Sequence, residues 1–244
     1  AGKAILCEKP FDLSLARAKR CLENAKSNKN SIMMGFNRRF DPNFVALKNA
    51  LDRGEIGKAE LLSITSFDPA PPSIDYVKVS GGIFKDMMIH DFDMANFLYG
   101  ELPKSIFVSA SAIIDKKIRA LGDYDTAVAT MKYRDGRLAV IRNSRRATYG
   151  YDQRIEVLGS KGLLQVQNMG ENCMVKSTEM GVESSKPEYF FLERYKSAYQ
   201  NEWAAFVTAV KTETPMPVSL SDGIAALAIA CLLYTSPSPR DGLG

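Results

Sequence analysis

The chain's one histidine, His90, lies in the segment GGIFKDMMIHDFD at 81–93, with Asp86, Asp91 and Asp93 around it. At about 100° per helical residue, the spacings i, i+4 and i+7 put Asp86, His90 and Asp93 on one face and turn Asp91 away. A carboxylate one turn from an imidazole holds its tautomer and supports the imidazolium formed when the ring takes a proton. These residues therefore point to acid/base chemistry. Two plainer readings stand beside it: a capped helix with a solvated acidic face, and a core histidine satisfied by Asp86. One histidine and two carboxylates are also donors a divalent ion accepts. No further histidine or thiolate cluster joins them, and no metal is expected.

The elements that must position this segment are legible in outline. AILC at 4–7 is a short apolar run ending at Glu8-Lys9-Pro10, the pattern of a buried strand that delivers polar residues at its carboxyl end. In open α/β sheets ligands bind at that end. A helical stripe (Leu15, Ala18, Leu22, Ala25) follows over about 14–26, then a second apolar strand at 31–36 that ends in Asn37-Arg38-Arg39. Strand, helix, strand is the crossover unit of a parallel sheet. Asp41-Pro42 opens a helix to about Leu51, and a strand is expected at 59–67. The prolines of DPAPPSIDY at 68–76 predict a surface loop. Gly81-Gly82 then opens one helix that carries His90 to Tyr99-Gly100.

From 106 to 175 the pattern turns to short strands with turn signals, Asp135-Gly136 being read as a two-residue hairpin turn and GSKG at 159–162 as another. An antiparallel sheet of five or six strands is expected. Tyr195, Ala198, Tyr199, Trp203, Phe206 and Val210 form a helical stripe read as core, and a last helix starts near Asp222. The fold class is thus α/β (α+β): the end of a Rossmann-type parallel sheet, then a larger domain with an open, mainly antiparallel sheet flanked by helices.

Composition narrows the function. Lys and Arg exceed Asp and Glu by 32 to 28 and are interspersed with them, too mild a balance to imply nucleic acid. The doublets Arg38-Arg39 and Arg145-Arg146 are of a kind that can bind an anionic group, but an exposed strand end is the commoner reading. Cys7, Cys21, Cys173 and Cys231 form no ligand or C-x-x-C spacing, and no apolar run is long enough for a membrane span. A soluble, cytoplasmic protein with free thiols and no membrane partner is expected.

Three separated motifs converge: strand-terminal EKP at 8–10, GFNRRFD at 35–41, and GGxxxDMMIHDFD. With EVLGSKG at 156–162, SAYQNEWAAFVTAV and SLSDGIAALAIA, they resemble the Gfo/Idh/MocA oxidoreductases, in particular their inositol 2-dehydrogenase branch, over most of 1–230. The resemblance implies a nicotinamide-linked enzyme, with NAD or NADP as cofactor and a small polyol or sugar as substrate, that assembles as a homo-oligomer through its open sheet. It implies a secondary alcohol of a cyclic polyol, myo-inositol, as the group oxidised. Lys9, Asp86 and His90 match the catalytic residues: His90 takes the hydroxyl proton, Asp86 orients His90, and Lys9 hydrogen-bonds the same oxygen. Glu8, Lys9 and Pro10 border the cofactor, with a cis peptide before Pro10. Asp93 matches a substrate hydroxyl ligand, and Asn37, Arg38 and Tyr149 are further pocket candidates.

The domain reading is 1–36 as the end of a dinucleotide-binding domain, 37–230 as the substrate and oligomerisation domain, and 231–244 as a non-native tail whose Ser-Pro-Ser-Pro cannot extend a helix. No G-x-G-x-x-G precedes AILCEKP. The chain is therefore expected to be a fragment lacking roughly 100 residues of the nucleotide domain, inactive and with negligible NAD affinity by itself. Two alternatives remain open at this point: the same fold acting on another sugar or a dihydrodiol, and a noncatalytic oligomerisation fragment.

Overall fold

A computed structural model describes residues 2–27 and 31–235. Strand β1 (Ile5–Glu8) pairs in parallel with β2 (Ile32–Gly35), and helix α1 (Leu15–Ser27) makes the crossover. Glu8 lies opposite Gly35, where a Cβ would come within 2.9 Å of the Glu8 carboxylate. Glycine therefore lets the two strand ends sit side by side.

After a 3₁₀ turn at Asn37–Phe40, Asp41 caps α2 (Pro42–Asp52) by accepting from the backbone N–H of Asn43 and Phe44. Pro42 occupies the first helical position, where its missing donor costs nothing. Strand β3 (Ala59–Phe67) then leads to helices α3 (Ile74–Ser80), α4 (Gly82–Asp86) and α5 (Ile89–Tyr99). The expected surface loop at 68–76 is only half a loop. Ser73 accepts from Tyr76 N–H and starts α3, so Ile74, Asp75 and Tyr76 are helical.

The chain continues through β4 (Ser105–Ser111), α6 (Lys116–Ala120), β5 (Thr126–Lys132), β6 (Leu138–Ser144), β7 (Asp152–Gly159) and β8 (Gly162–Val166). A separate exposed hairpin follows, β9 (Val175–Thr178) and β10 (Gly181–Ser184). Helices α7 (Phe191–Arg194), α8 (Lys196–Thr212) and α9 (Leu220–Thr235) complete the described residues.

The main sheet has the order β4-β5-β6-β3-β7-β8. It is mainly antiparallel, as expected, but begins with β3 and contains one parallel pair, β3 with β6. Tyr133 N–H donates to the Arg137 carbonyl at 2.9 Å, so the turn at Asp135-Gly136 has three residues rather than two. Along β5, Ala127, Ala129 and Met131 are buried while Val128, Thr130 and Lys132 are exposed, which gives the sheet one inner and one open face.

Helix α9 is apolar nearly all round, and such a helix belongs in a core. It packs on α5, α1 and β2, with Gly223 against Met34. One core therefore runs from Ala18, Met33 and Met34 into the remainder of the chain. The helix runs through Cys231 to Thr235, five residues past the expected break at Ala230, because the two prolines come only at 237 and 239. The remaining tail, 236–244, lies outside the described residues. Trp203 and Val210 are exposed rather than core, while Tyr195, Ala198 and Phe206 are buried.

Candidate active site

A cleft of about 840 Å³ opens at the carboxyl ends of β1 and β2. Glu8 and Lys9 border it from β1, Asn37 and Arg38 from the 3₁₀ turn, Asp86 and His90 from α4 and α5. The Lys9–Pro10 peptide is cis; Pro10 itself does not line the cleft.

The helix expected to run unbroken through 82–99 changes its hydrogen-bonding step in the middle. Both Met87 and Met88 N–H donate to the Ile83 carbonyl, and His90 N–H turns to Met87 O at 3.3 Å. A shift from four- to five- and then three-residue closure rotates the following turn. Asp86 therefore makes no hydrogen bond to His90, which corrects the expected Asp86–His90 pair. Instead the Asp86 carboxylate accepts from Lys9 Nζ at 3.3 Å and Tyr76 Oη at 2.7 Å on Oδ1, and from Arg145 Nη2 at 3.2 Å on Oδ2. Lys9 Nζ also donates to the Asp86 main-chain carbonyl at 2.5 Å. Burial by itself would raise the Asp86 pKa; Lys9, the Tyr76 hydrogen bond and Arg145 outweigh it and hold the carboxyl below its usual range.

His90 packs edge-on against Phe36, and its Nδ1 is buried with no hydrogen-bond partner among the described residues. Burial, reinforced by Lys9 and Arg38, depresses its pKa well below that of a free imidazole. The ring is therefore neutral at neutral pH. Asp68, which follows β3 and lines the same cleft, is pushed up to about 6 by burial, with Arg145 opposing and Asp86 adding to the shift.

The other acidic residues of the motif hold the scaffold. Asp91 is fully buried outside the cleft: Arg38 and Ser66 donate to Oδ1 at 2.5 and 2.6 Å, and Asn143 to Oδ2 at 2.7 Å. Asp93 does not reach the cleft. Its two oxygens take a bidentate bond from Arg39 at 2.8 and 2.6 Å, tying α5 to the 3₁₀ turn. Tyr149 is also outside the cleft, half-exposed and bonded to Asp152 at 2.6 Å, whereas Tyr151, two residues on, lines the wall.

Sequence reasoning missed Arg145, Tyr76, Asp68 and Tyr151. Arg145 is 1% exposed, not at an exposed strand end. Its signal was available in the alternation of β6: inward Ala139, Ile141 and Asn143 place 145 on the inner side as well.

A parallel strand pair whose carboxyl ends meet a mixed sheet around a cleft of lysine, carboxylates and a neutral imidazole defines the class: a two-part α/β protein with a strand-end ligand site. Residues 44–165 match the Gfo/Idh/MocA C-terminal domain. The chain is 49% identical over 230 residues to inositol 2-dehydrogenase of Rhizobium meliloti (strain 1021), covering 94% of this chain and 70% of that protein. It is also 49% identical over 229 residues to myo-inositol 2-dehydrogenase of Thermotoga maritima, covering 94% and 69%. A crystal structure of scyllo-inositol dehydrogenase from Lactobacillus casei, with bound NAD(H) and scyllo-inositol, superposes with a TM-score of 0.87 at 27% identity, covering 96% of this chain and 71% of that one. The chain belongs to the Gfo/Idh/MocA family.

Proposed function

We propose that this cleft is the catalytic site of an NAD-dependent dehydrogenase that oxidises a secondary alcohol of a cyclic polyol, with myo-inositol as substrate. The observation that carries the reading is the meeting of Lys9 with Asp86, 77 positions later, beside the neutral His90 in one cleft. The relatives named inositol 2-dehydrogenase and the neighbour holding NAD(H) and scyllo-inositol support the substrate class and the cofactor.

Glu8 and Lys9, at the carboxyl end of β1, suit the nicotinamide end of such a cofactor: they stand at a strand end bordering a cleft roomy enough for a ring beside a substrate. Residues 1–36 are accordingly read as belonging to the nucleotide-binding part and 37–230 as the substrate part. When bound, the nicotinamide supplies the hydride acceptor. The protein's own groups handle the proton and the oxygen. With Nδ1 buried, Nε2 is the His90 nitrogen left to take the hydroxyl proton, and the ring's neutrality keeps it free to do so. Lys9 Nζ, held by Asp86, donates to the substrate oxygen as it becomes alkoxide-like. Asn37, Arg38, Asp68 and Tyr151 surround the remaining hydroxyls with donors and acceptors. Asp86 thus acts through Lys9 rather than through His90.

The test is kinetic. In a full-length enzyme carrying this sequence, myo-inositol should support nicotinamide reduction better than hexoses or dihydrodiols, and with NAD better than with NADP. His90→Ala should lower turnover on the order of a hundredfold or more; near-normal turnover in that variant overturns the assignment.

A further inference from the structure

We propose that Tyr76 and Arg145 are positioning residues of this site, clamping the Asp86 carboxylate so that it stays ionised and keeps Lys9 Nζ aimed into the cleft. The proposal deepens the dehydrogenase reading above, on which its catalytic consequence rests, but the clamp itself is a property of this chain alone.

The geometry comes first. Asp86 is the last residue of α4, next to carbonyls that a helix leaves unpaired, where the helix dipole disfavours a carboxylate. Something must compensate there. Lys9 serves both groups at once, bonding the Asp86 carbonyl at 2.5 Å and Oδ1 at 3.3 Å. The bond to the carboxylate is the long one, and it leaves Oδ2 unserved. Tyr76 reaches the same Oδ1 at 2.7 Å from α3, and Arg145 takes Oδ2 at 3.2 Å from beyond β6. Three donors from three segments therefore fix both oxygens of one buried carboxylate, and two of the three segments contain no residue of the EKP, GFNRRFD or GGxxxDMMIHDFD motifs.

Arg145 is itself buried, its Nε has no hydrogen-bond partner among the described residues, and its guanidinium is held at the site by Asp86 and by the nearby Asp68 charge. The charged and titratable groups facing Asp86 are then Lys9, Tyr76, Arg145 and Asp68, three favouring the carboxylate and one opposing it. Loss of either clamp should leave Lys9 as the main counterweight to burial and to Asp68. The carboxyl then protonates more readily, and a protonated Asp86 has lost the negative charge that strengthens its bond to Lys9.

Tyr76 stands where it does because of the proline-rich run before it. Pro69, Pro71 and Pro72 line the cleft and supply no backbone donor to continue a strand or start a helix, and Ser73 then starts α3 so that Tyr76 falls in its first turn.

The test reads the carboxyl group directly and needs no cofactor. The chain is labelled with ¹³C at aspartate carboxyls, the Asp86 signal is identified by its loss in Asp86→Asn, and its titration midpoint is followed by NMR. Tyr76→Phe should raise that midpoint by about one pH unit, the scale of one lost hydrogen bond to a charged group. Arg145→Gln should raise it further, and Arg145→Lys should restore part of the difference. Tyr76 is half-exposed, so its phenylalanine variant should fold, with a melting temperature at neutral pH lowered by only a few degrees, and carry the test if Arg145→Gln does not fold. Midpoints unchanged in a folded Tyr76→Phe protein overturn the proposal. In a full-length enzyme the acidic limb of kcat/KM should move in the same direction. If the midpoints shift while no polyol is oxidised even by the wild type, the clamp stands and the proposed function falls.

Discussion

Glu202 on α8 is 2% exposed, with Oε1 lacking a hydrogen-bond partner among the described residues, and burial together with the nearby Glu8 pushes its carboxyl up to about 8. A carboxyl whose pKa rises on folding holds its proton in the native state while the unfolded chain has already released it. Stability from this group is complete below the unfolded value near 4.5 and is lost as pH rises toward about 8. Denaturant unfolding at pH 5, 6, 7 and 8 should show a decline that Glu202→Gln flattens; an identical decline in the variant would remove Glu202 as its source. Asp86 has the opposite sign. Its pKa is lowered, so its contribution is present above the ordinary carboxylate range and is lost as the solution becomes acid enough to protonate the native site. Asp86 and His90 are legible in the sequence from their spacing in one segment, whereas Lys9 is singled out only by the family resemblance that its EKP motif helps to carry. Tyr76, Arg145 and Asp68 are not legible, because each belongs to the site only through contacts made across the sheet and the clefted rim. The same limit misplaced Asp93: helical spacing puts it on the His90 face, but Arg39 from another segment takes both of its oxygens.

Among the elements, α2 shows how one acidic side chain can do two jobs. Asp41 caps the helix through Oδ1 while its Oδ2 accepts from the buried Arg194 Nη1 at 2.5 Å, joining α2 to α7. Asp41→Ala removes the cap and leaves a buried guanidinium unpaired, and should cost about 3–5 kcal/mol in chemical unfolding. Asp41→Asn, which keeps a capping oxygen, should cost less by roughly the cap's share of about 1 kcal/mol. Equal losses in the two variants would mean that the cap contributes nothing. The Asp-Pro signal makes the start of α2 readable from sequence, and the apolar runs do the same for β1, β2 and α1. The break between α4 and α5 is not readable in that way. GIFKDMMIHDFD contains no proline and no interior glycine to mark a break, and the changed hydrogen-bonding step falls where Met87, Met88 and Ile89 are all buried in the core. The parallel pairing of β3 with β6 is hidden for a related reason. Alternation reports which face a residue occupies, and says nothing of which strand lies next to it.

At the scale of the molecule, the sheet's inner face is spent on the core, whereas its outer face remains open and partly apolar. Phe107 on β4, Val128 on β5, and the cross-strand pair Leu158 and Leu163 on β7 and β8 are all more than two-fifths exposed. In the register of the sheet Phe107 pairs with Thr130 and Val128 with Arg142, so apolar and polar groups alternate across one surface. The homo-oligomer expected from the family resemblance would use the open sheet, so this face is where that expectation is tested. The cleft lies at the carboxyl ends of β1 and β2, and its lining includes none of these outer-face residues. Association and ligand binding should therefore separate by mutation. Val128→Lys combined with Phe107→Glu should lower the mass measured by light scattering toward that of one chain, while the Asp86 carboxyl midpoint stays at its wild-type value. An unchanged mass would assign association to another surface. A mass that falls together with a shifted midpoint would mean that the cleft's electrostatics depend on the partner copy.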